Sequence, residues 1–179
     1  MFFGCVVLLM AGFMAEVPPA IEARLNSTNE TAGTFVQTKT MPDGKKWVSR
    51  GTYRIRPGKD FEWAVHEPFE TCFFATPSDY VYTNEDERVE RKLEDLPYFS
   101  RLNKVASGDY TMFFDAFDAL YKEEDGRFFM KAKPKAKELK RFLERVDAEG
   151  DFVGAKEWEL TATFPDGTTF KIELKEDGR

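Results

Sequence analysis

The residues that enzymes and metal sites usually draw on are scarce in this chain. There is one histidine and there are two cysteines in 179 residues. His66 has no nucleophile and orienting acid beside it in the sequence, so it is weak support for a catalytic centre. Cys5 falls in an apolar leader and Cys72 in the body of the chain. A single body cysteine excludes an internal disulfide and a cysteine-based metal site. Cys72 lies within "ETCFFAT" and reads as a small buried hydrophobe. The signatures G-x-S-x-G, H-E-x-x-H, G-x-x-x-x-G-K and G-x-G-x-x-G do not occur. The acids of "NEDERVERKLED" lack calcium-loop spacing and read as a solvated edge strand whose charges block strand-on-strand association. Excess positive charge is missing as well. The formal net charge is -6, which argues against nucleic acid and against electrostatic docking on anionic lipid. The basic stretch from Lys131 to Arg145 is interrupted by Glu138 and Glu144 and reads as a solvated face. No enzymatic activity, metal or cofactor is expected. A small hydrolase using His66 or Cys72 is the weakest reading.

Long apolar runs are also lacking, apart from the stretch from Phe2 to Ala15. That run is too short to cross a bilayer comfortably and fits the apolar region of a secretory leader. Residues 1–15 are therefore expected to be a signal peptide and residues 16–179 a single exported domain.

What the chain does have is phenylalanine, 18 of them. They serve either a core or a surface lined for a greasy ligand. Ile21 and Leu25 suit one amphipathic turn. From Thr34 the pattern alternates. Phe35, Gln37 and Lys39 share one face, Pro42-Asp43-Gly44 turns the chain, and Trp47, Ser49, Gly51, Tyr53 and Ile55 alternate with polar residues. Pro57-Gly58 turns again into Phe61, Trp63 and Val65. Further strands are expected at Thr71–Thr76, Asp79–Thr83 and Glu87–Leu93, which makes an antiparallel meander. Two short amphipathic helices are expected next. Asp95–Ser107 presents Phe99, Leu102 and Val105 on one face, and Asp109–Asp118 presents Phe113 and Phe117. Strands then resume at Ala119–Lys122, Phe128–Lys133, Trp158–Phe164 and Thr169–Leu174. The stretch from Leu139 to Val146 scores as helix on local propensity.

The order of these features resembles the LolA family of periplasmic lipoprotein carriers. The resemblance is carried by "TFVQTK", "SRGTYRIRPGKDFEW" and "EPF", that is, Phe35, Gln37 and Lys39; Ser49 and Gly51; Arg56 and Pro57; Phe61 and Trp63; and Pro68. It continues in "FFMKAKPKAKELKRFLERVDAEGDFVGAKEWEL" and the hairpin "FPDGTTFKIEL". It spans about Phe35 to Leu174, and it reassigns Leu139–Val146 as strand.

The resemblance implies a mainly β fold, an open, incomplete antiparallel barrel with a helical lid over a hydrophobic cavity. The implied cargo is an acylated lipoprotein or related lipid, received from an inner-membrane ABC transporter and passed to an outer-membrane acceptor across the periplasm. A monomer is expected. The expected cavity lining is Phe35, Tyr53, Ile55, Phe61, Trp63, Phe73, Tyr80 and Tyr82. Phe99, Leu102, Phe113 and Phe117 would form the inner face of the lid. Arg56, at the position of a family arginine that hydrogen-bonds the lid helices, would close it. Relatives on this fold also sense lipoproteins, so a lipid-sensing interaction protein is the alternative.

Overall fold

Two turns of the same composition organise the sheet. At Pro42-Asp43-Gly44, the Gly44 backbone has φ +83°, and the Lys45 N–H donates to Asp43 Oδ1 at 3.1 Å. At Pro165-Asp166-Gly167, Gly167 has φ +85°, and the Thr168 N–H donates to Asp166 Oδ1 at 2.9 Å. Proline sets the first turn residue, the aspartate carboxylate takes up a backbone donor, and glycine supplies the left-handed residue that closes a three-residue hairpin loop.

The computed structural model of the protein describes residues 30–92, 117–151 and 157–177. Its strands are β1 (Thr31–Thr40), β2 (Lys46–Arg56), β3 (Asp60–Glu67), β4 (Thr71–Ala75), β5 (Asp79–Asn84), β6 (Arg88–Lys92), β7 (Phe117–Glu124), β8 (Arg127–Pro134), β9 (Arg145–Asp151), β10 (Glu157–Thr163) and β11 (Thr169–Glu176). A single helical turn, α1, covers Lys137–Lys140. All the strands belong to one eleven-stranded sheet in the order β6-β5-β4-β3-β2-β1-β11-β10-β9-β8-β7. Each half is a meander, and the antiparallel pairing of β1 with β11 joins them. β6 and β7 lie at opposite ends of that order and do not pair with each other. The sheet is thus an open, incomplete antiparallel barrel, as the fold class expected.

Alternation gives the sheet two unlike faces. One carries the core residues Phe35, Trp63, Phe128, Met130, Leu160 and Ile172, each at most 2% exposed. The other carries ion pairs across and along strands, among them Arg54–Glu62 at 2.5 Å, Lys171–Glu159 at 2.8 Å and Arg127–Glu149 at 3.4 Å.

Two expectations are corrected. Leu139–Glu144 is not strand, and only Arg145 and Val146 of the expected stretch enter β9. Lys140 donates to the Ala136 carbonyl at 3.1 Å and Leu143 to the Leu139 carbonyl at 2.8 Å, so these backbone groups are satisfied within one helical turn. Strand pairing starts only at Arg145, opposite Thr163. The helix that local propensity favours covers only Leu139 and Lys140 of this stretch, and the strand that the resemblance favours covers only Arg145 and Val146. Phe117 is not on a lid helix either. It opens β7 opposite Pro134 and alternates with Ala119 and Tyr121. Ladder bonds to β8, together with burial of Phe117 to 6% exposure, outweigh helix propensity there. The rest of the expected lid, including Phe99, Leu102 and Phe113, lies outside the described residues, as does the leader.

Candidate functional site

The candidate site is the apolar face, and the strand register builds it row by row. Tyr53 pairs with Trp63, Trp63 with Phe73, and Phe73 with Tyr82. One step along, Ile55 pairs with Phe61, Phe61 with Ala75, and Ala75 with Tyr80. Directly opposed residues share a face, and alternation along β1 puts Phe35 on the same one. The residues expected to line a cavity therefore lie side by side on one face.

Their rings form a chain. Phe35 stacks on Trp63 with centroids 3.8 Å apart. Trp63 lies 6.3 Å from Phe61, Phe61 lies 6.2 Å from Phe73, and Phe73 lies 5.7 Å from Tyr80. The Phe35–Trp63 stack reaches from β1 to β3 across β2, and Gly51 makes that possible. A Cβ at Gly51 would fall 2.8 Å from Phe35 Cζ and 1.9 Å from the Ala64 carbonyl oxygen. Only a residue without a side chain lets the ring lie over β2.

Burial divides this face. On β8–β11 it is mostly sealed, with Ala132 and Val146 at 0% exposed and Leu160 at 1%, and with Ala148, Trp158 and Phe164 partly exposed. On β2–β5, Phe35, Tyr53 and Trp63 are buried, whereas Ile55, Phe61, Phe73, Tyr80 and Tyr82 are only partly so. The sheet thus has a packed half and an open aromatic half. Sequence reading missed the packed half as part of the same face. Its signal was the alternation of Phe170, Ile172 and Leu174 and of Phe128, Met130 and Ala132.

A groove of about 420 Å³ opens where β1, β8, β9, β10 and β11 end, lined by Phe35, Trp158 and Leu174 together with Arg127, Glu149 and Asp151. Arg127 pairs with Glu149 at 3.4 Å and with Asp151 at 3.6 Å. The groove is therefore a rim of the sheet where apolar and salt-bridged side chains meet.

Arg56, the expected lid clasp, ends β2 with the strand parity of Arg54, away from the aromatic rows. Its Nε donates to Asp60 Oδ1 at 2.8 Å, and a second nitrogen donates to Oδ2. This pairing across the Pro57-Gly58 turn raises the guanidinium pKa. Among the described residues, its hydrogen bonds go to Asp60.

The residues weighed for catalysis are not joined. His66 is exposed, with Nε2 3.0 Å from Thr52 Oγ1. Cys72 is half-buried on the polar face, pairing with Ala64. Burial raises its thiol pKa, and the charge of Glu62 adds to the rise, so little of it is thiolate at neutral pH. No hydrogen bond links the two side chains. Among the described residues, no cluster of His, Cys, Asp and Glu is arranged to hold a metal ion.

No family model matches the chain, and no curated protein matches it. Solved structures similar to it include a LolA superfamily protein from Nitrosomonas europaea, at 10% identity and TM-score 0.42, with 85% of this chain and 88% of that one covered. Another is a putative outer membrane lipoprotein-sorting protein domain from Vibrio parahaemolyticus, at 9% identity and TM-score 0.43, with 86% of each chain covered.

Proposed function

We propose that the protein is a non-enzymatic periplasmic carrier that lays fatty-acyl chains of a lipoprotein or related lipid on its open aromatic face and conveys them towards the outer membrane. One observation carries the reading. Phe61, Phe73, Tyr80 and Tyr82 lie on the same sheet face as a sealed core, yet remain partly exposed. A face used only as core would bury them further, because apolar area left in water forgoes about 25 cal/mol per Å². The aromatics offer flat, unreactive contact area to a flexible chain.

The energetics match the task. Each methylene taken out of water is worth about 0.8 kcal/mol, so a long acyl chain does not cross an aqueous compartment unescorted. An open sheet lets cargo enter and leave sideways, which a closed barrel would forbid. The motif resemblance from Phe35 to Leu174 supports the same reading and supplies the proposed partners, an inner-membrane ABC transporter as donor and an outer-membrane acceptor. The test is binding of a fluorescent acyl probe to detergent-free protein. Saturable binding, weakened when Phe73 or Tyr82 is made polar, is expected. A protein that binds no acyl probe would overturn the proposal.

A further inference from the structure

The apolar face contains a polar side chain that packing does not explain. Gln37 sits on β1 between Phe35 and Lys39 and shares their face. It is 6% exposed. Its cross-strand neighbours are Ser49 on β2 and Ile172 on β11. The Gln37 side chain makes no hydrogen bond with the described residues, and neither does that of Ser49. Nor is the Gln37 amide among the fully sealed, partnerless polar atoms, so it opens onto accessible space. A carboxamide in this largely buried position gives up part of its hydration, and a leucine there would pack at no such cost. A polar group held in that state is suited to a ligand that brings the partner.

We infer that Gln37 is the polar anchor of the face, its amide N–H donating to the carbonyl oxygen at the root of a fatty-acyl ester or amide. This deepens the carrier reading and rests on it. The carbonyl is the one strong acceptor an acyl chain carries, and the carboxamide offers two donors. The layout orients the cargo. From the Gln37 row to the Thr31 row, which continues into Ile55 and Phe61, β1 spans roughly 20 Å at about 3.3 Å per residue, the length scale of an extended long-chain acyl group. In the other direction the β2 side of the face turns polar and open. Lys39 Nζ lies 5.4 Å from the Phe170 ring centroid, and Trp47, opposite Lys39, is 68% exposed. The tail is directed past the buried Phe35 and Tyr53 towards the partly exposed Ile55 and Phe61, the carbonyl meets Gln37, and the head group leaves past Lys39 and Trp47.

The experiment compares three probes by displacement of a bound acyl dye from wild type and from Gln37→Met, a near-isosteric change. The probes are a diacylglycerol, the matching dialkyl-ether glycerol without carbonyls, and a palmitoyl glycinamide. Wild type is expected to prefer diester over diether about fivefold to tenfold, the range of one net hydrogen bond. In Gln37→Met the diester falls to the diether's affinity while the diether is unchanged. The palmitoyl amide falls likewise, and whichever carbonyl probe loses more identifies the source, lipid ester or N-acyl chain. A ¹³C-labelled ester carbonyl should absorb at lower frequency when bound to wild type than to the variant. If Gln37→Met does not fold, Gln37→Asn, which withdraws the amide by one methylene, should lose the same preference. A retained diester preference, or an unmoved carbonyl band, overturns the anchor while leaving the carrier standing. A wild type that binds neither glycerolipid overturns both.

Discussion

Truncating one side chain from each half of the face should separate core from cargo surface. Leu160 is 1% exposed and sits between Ile172 and Ala148 in the sealed half. Leu160→Ala removes buried methylenes and leaves a cavity that strands on both sides prevent from collapsing, at a cost of about 2–5 kcal/mol. For a domain of this size each kcal/mol lowers Tm by about 2–4 °C, so a fall of roughly 4–20 °C is expected. Phe73 is only partly buried and touches Phe61 and Tyr80 at its sides. Phe73→Ala forgoes those ring contacts but opens no sealed cavity, so its cost should be about 1 kcal/mol, or a few degrees. Acyl-probe binding should respond in the opposite sense. Phe73→Ala is expected to weaken it about fivefold or more, the effect of losing roughly 1 kcal/mol of apolar contact, whereas Leu160→Ala leaves it within about twofold at temperatures where the variant is folded. The assay is thermal unfolding of each purified variant alongside fluorescence titration. If Phe73→Ala destabilises as much as Leu160→Ala and binding does not change, the open half is ordinary core and the reasoning fails.

Gly51→Ala should destabilise the protein by about 1–3 kcal/mol, the range of overpacking, because the new methyl meets the Ala64 carbonyl oxygen and the Phe35 ring; chemical denaturation measures this, and a neutral result would refute the account of the Phe35–Trp63 stack. The Asp166 carboxyl pKa lies below its ordinary 3.8, chiefly because the Thr168 N–H donates to it. Its stabilisation is therefore fully present above that value and is lost as pH falls through the lower folded one. The Tm gap between wild type and Asp166→Ala should be constant near neutrality and close below pH 3.8, and a gap that widens in acid would contradict the assignment. Arg56→Leu is expected to slow cargo transfer in a reconstituted assay, and Asp60→Ala, which frees the guanidinium, should also alter it. Wild-type rates for both would remove Arg56 and its carboxylate partner from the transfer step.

The alternation of Phe35, Gln37 and Lys39, of Tyr53 and Ile55, and of Phe61 and Trp63 was legible because each strand is flanked by Pro-Asp-Gly or Pro-Gly turns with a fixed local chemistry. Asp125-Gly126 follows the same local chemistry, and its positive φ values close the β7–β8 hairpin. Where the chain lacks such punctuation, reading failed. Leu139–Val146 has no alternation, and local backbone bonds from Ala136 to Leu143 decide its first part while pairing with β10 decides Arg145 and Val146. Phe117 and Asp118 carry helix-compatible side chains, but pairing with β8, a long-range contact, makes them strand. Nor could periodicity show which apolar residues stay partly exposed. Phe73 and Phe128 look alike in sequence, yet Phe128 is sealed at 2% exposed and Phe73 is not. The difference depends on which neighbours the sheet order brings to each side. Gln37 was visible as a motif residue, but its role depended on the absence of a partner, which only the fold reveals.

The most direct test of the carrier account is to express residues 16–179, purify them without detergent, extract the preparation with organic solvent and analyse the extract by mass spectrometry. The account predicts co-purifying lipid or acylated peptide that is lost when Phe73 and Tyr82 are replaced by polar residues. A clean extract from a folded protein that also fails to bind a fluorescent acyl probe would contradict it and leave the aromatic rows as core alone.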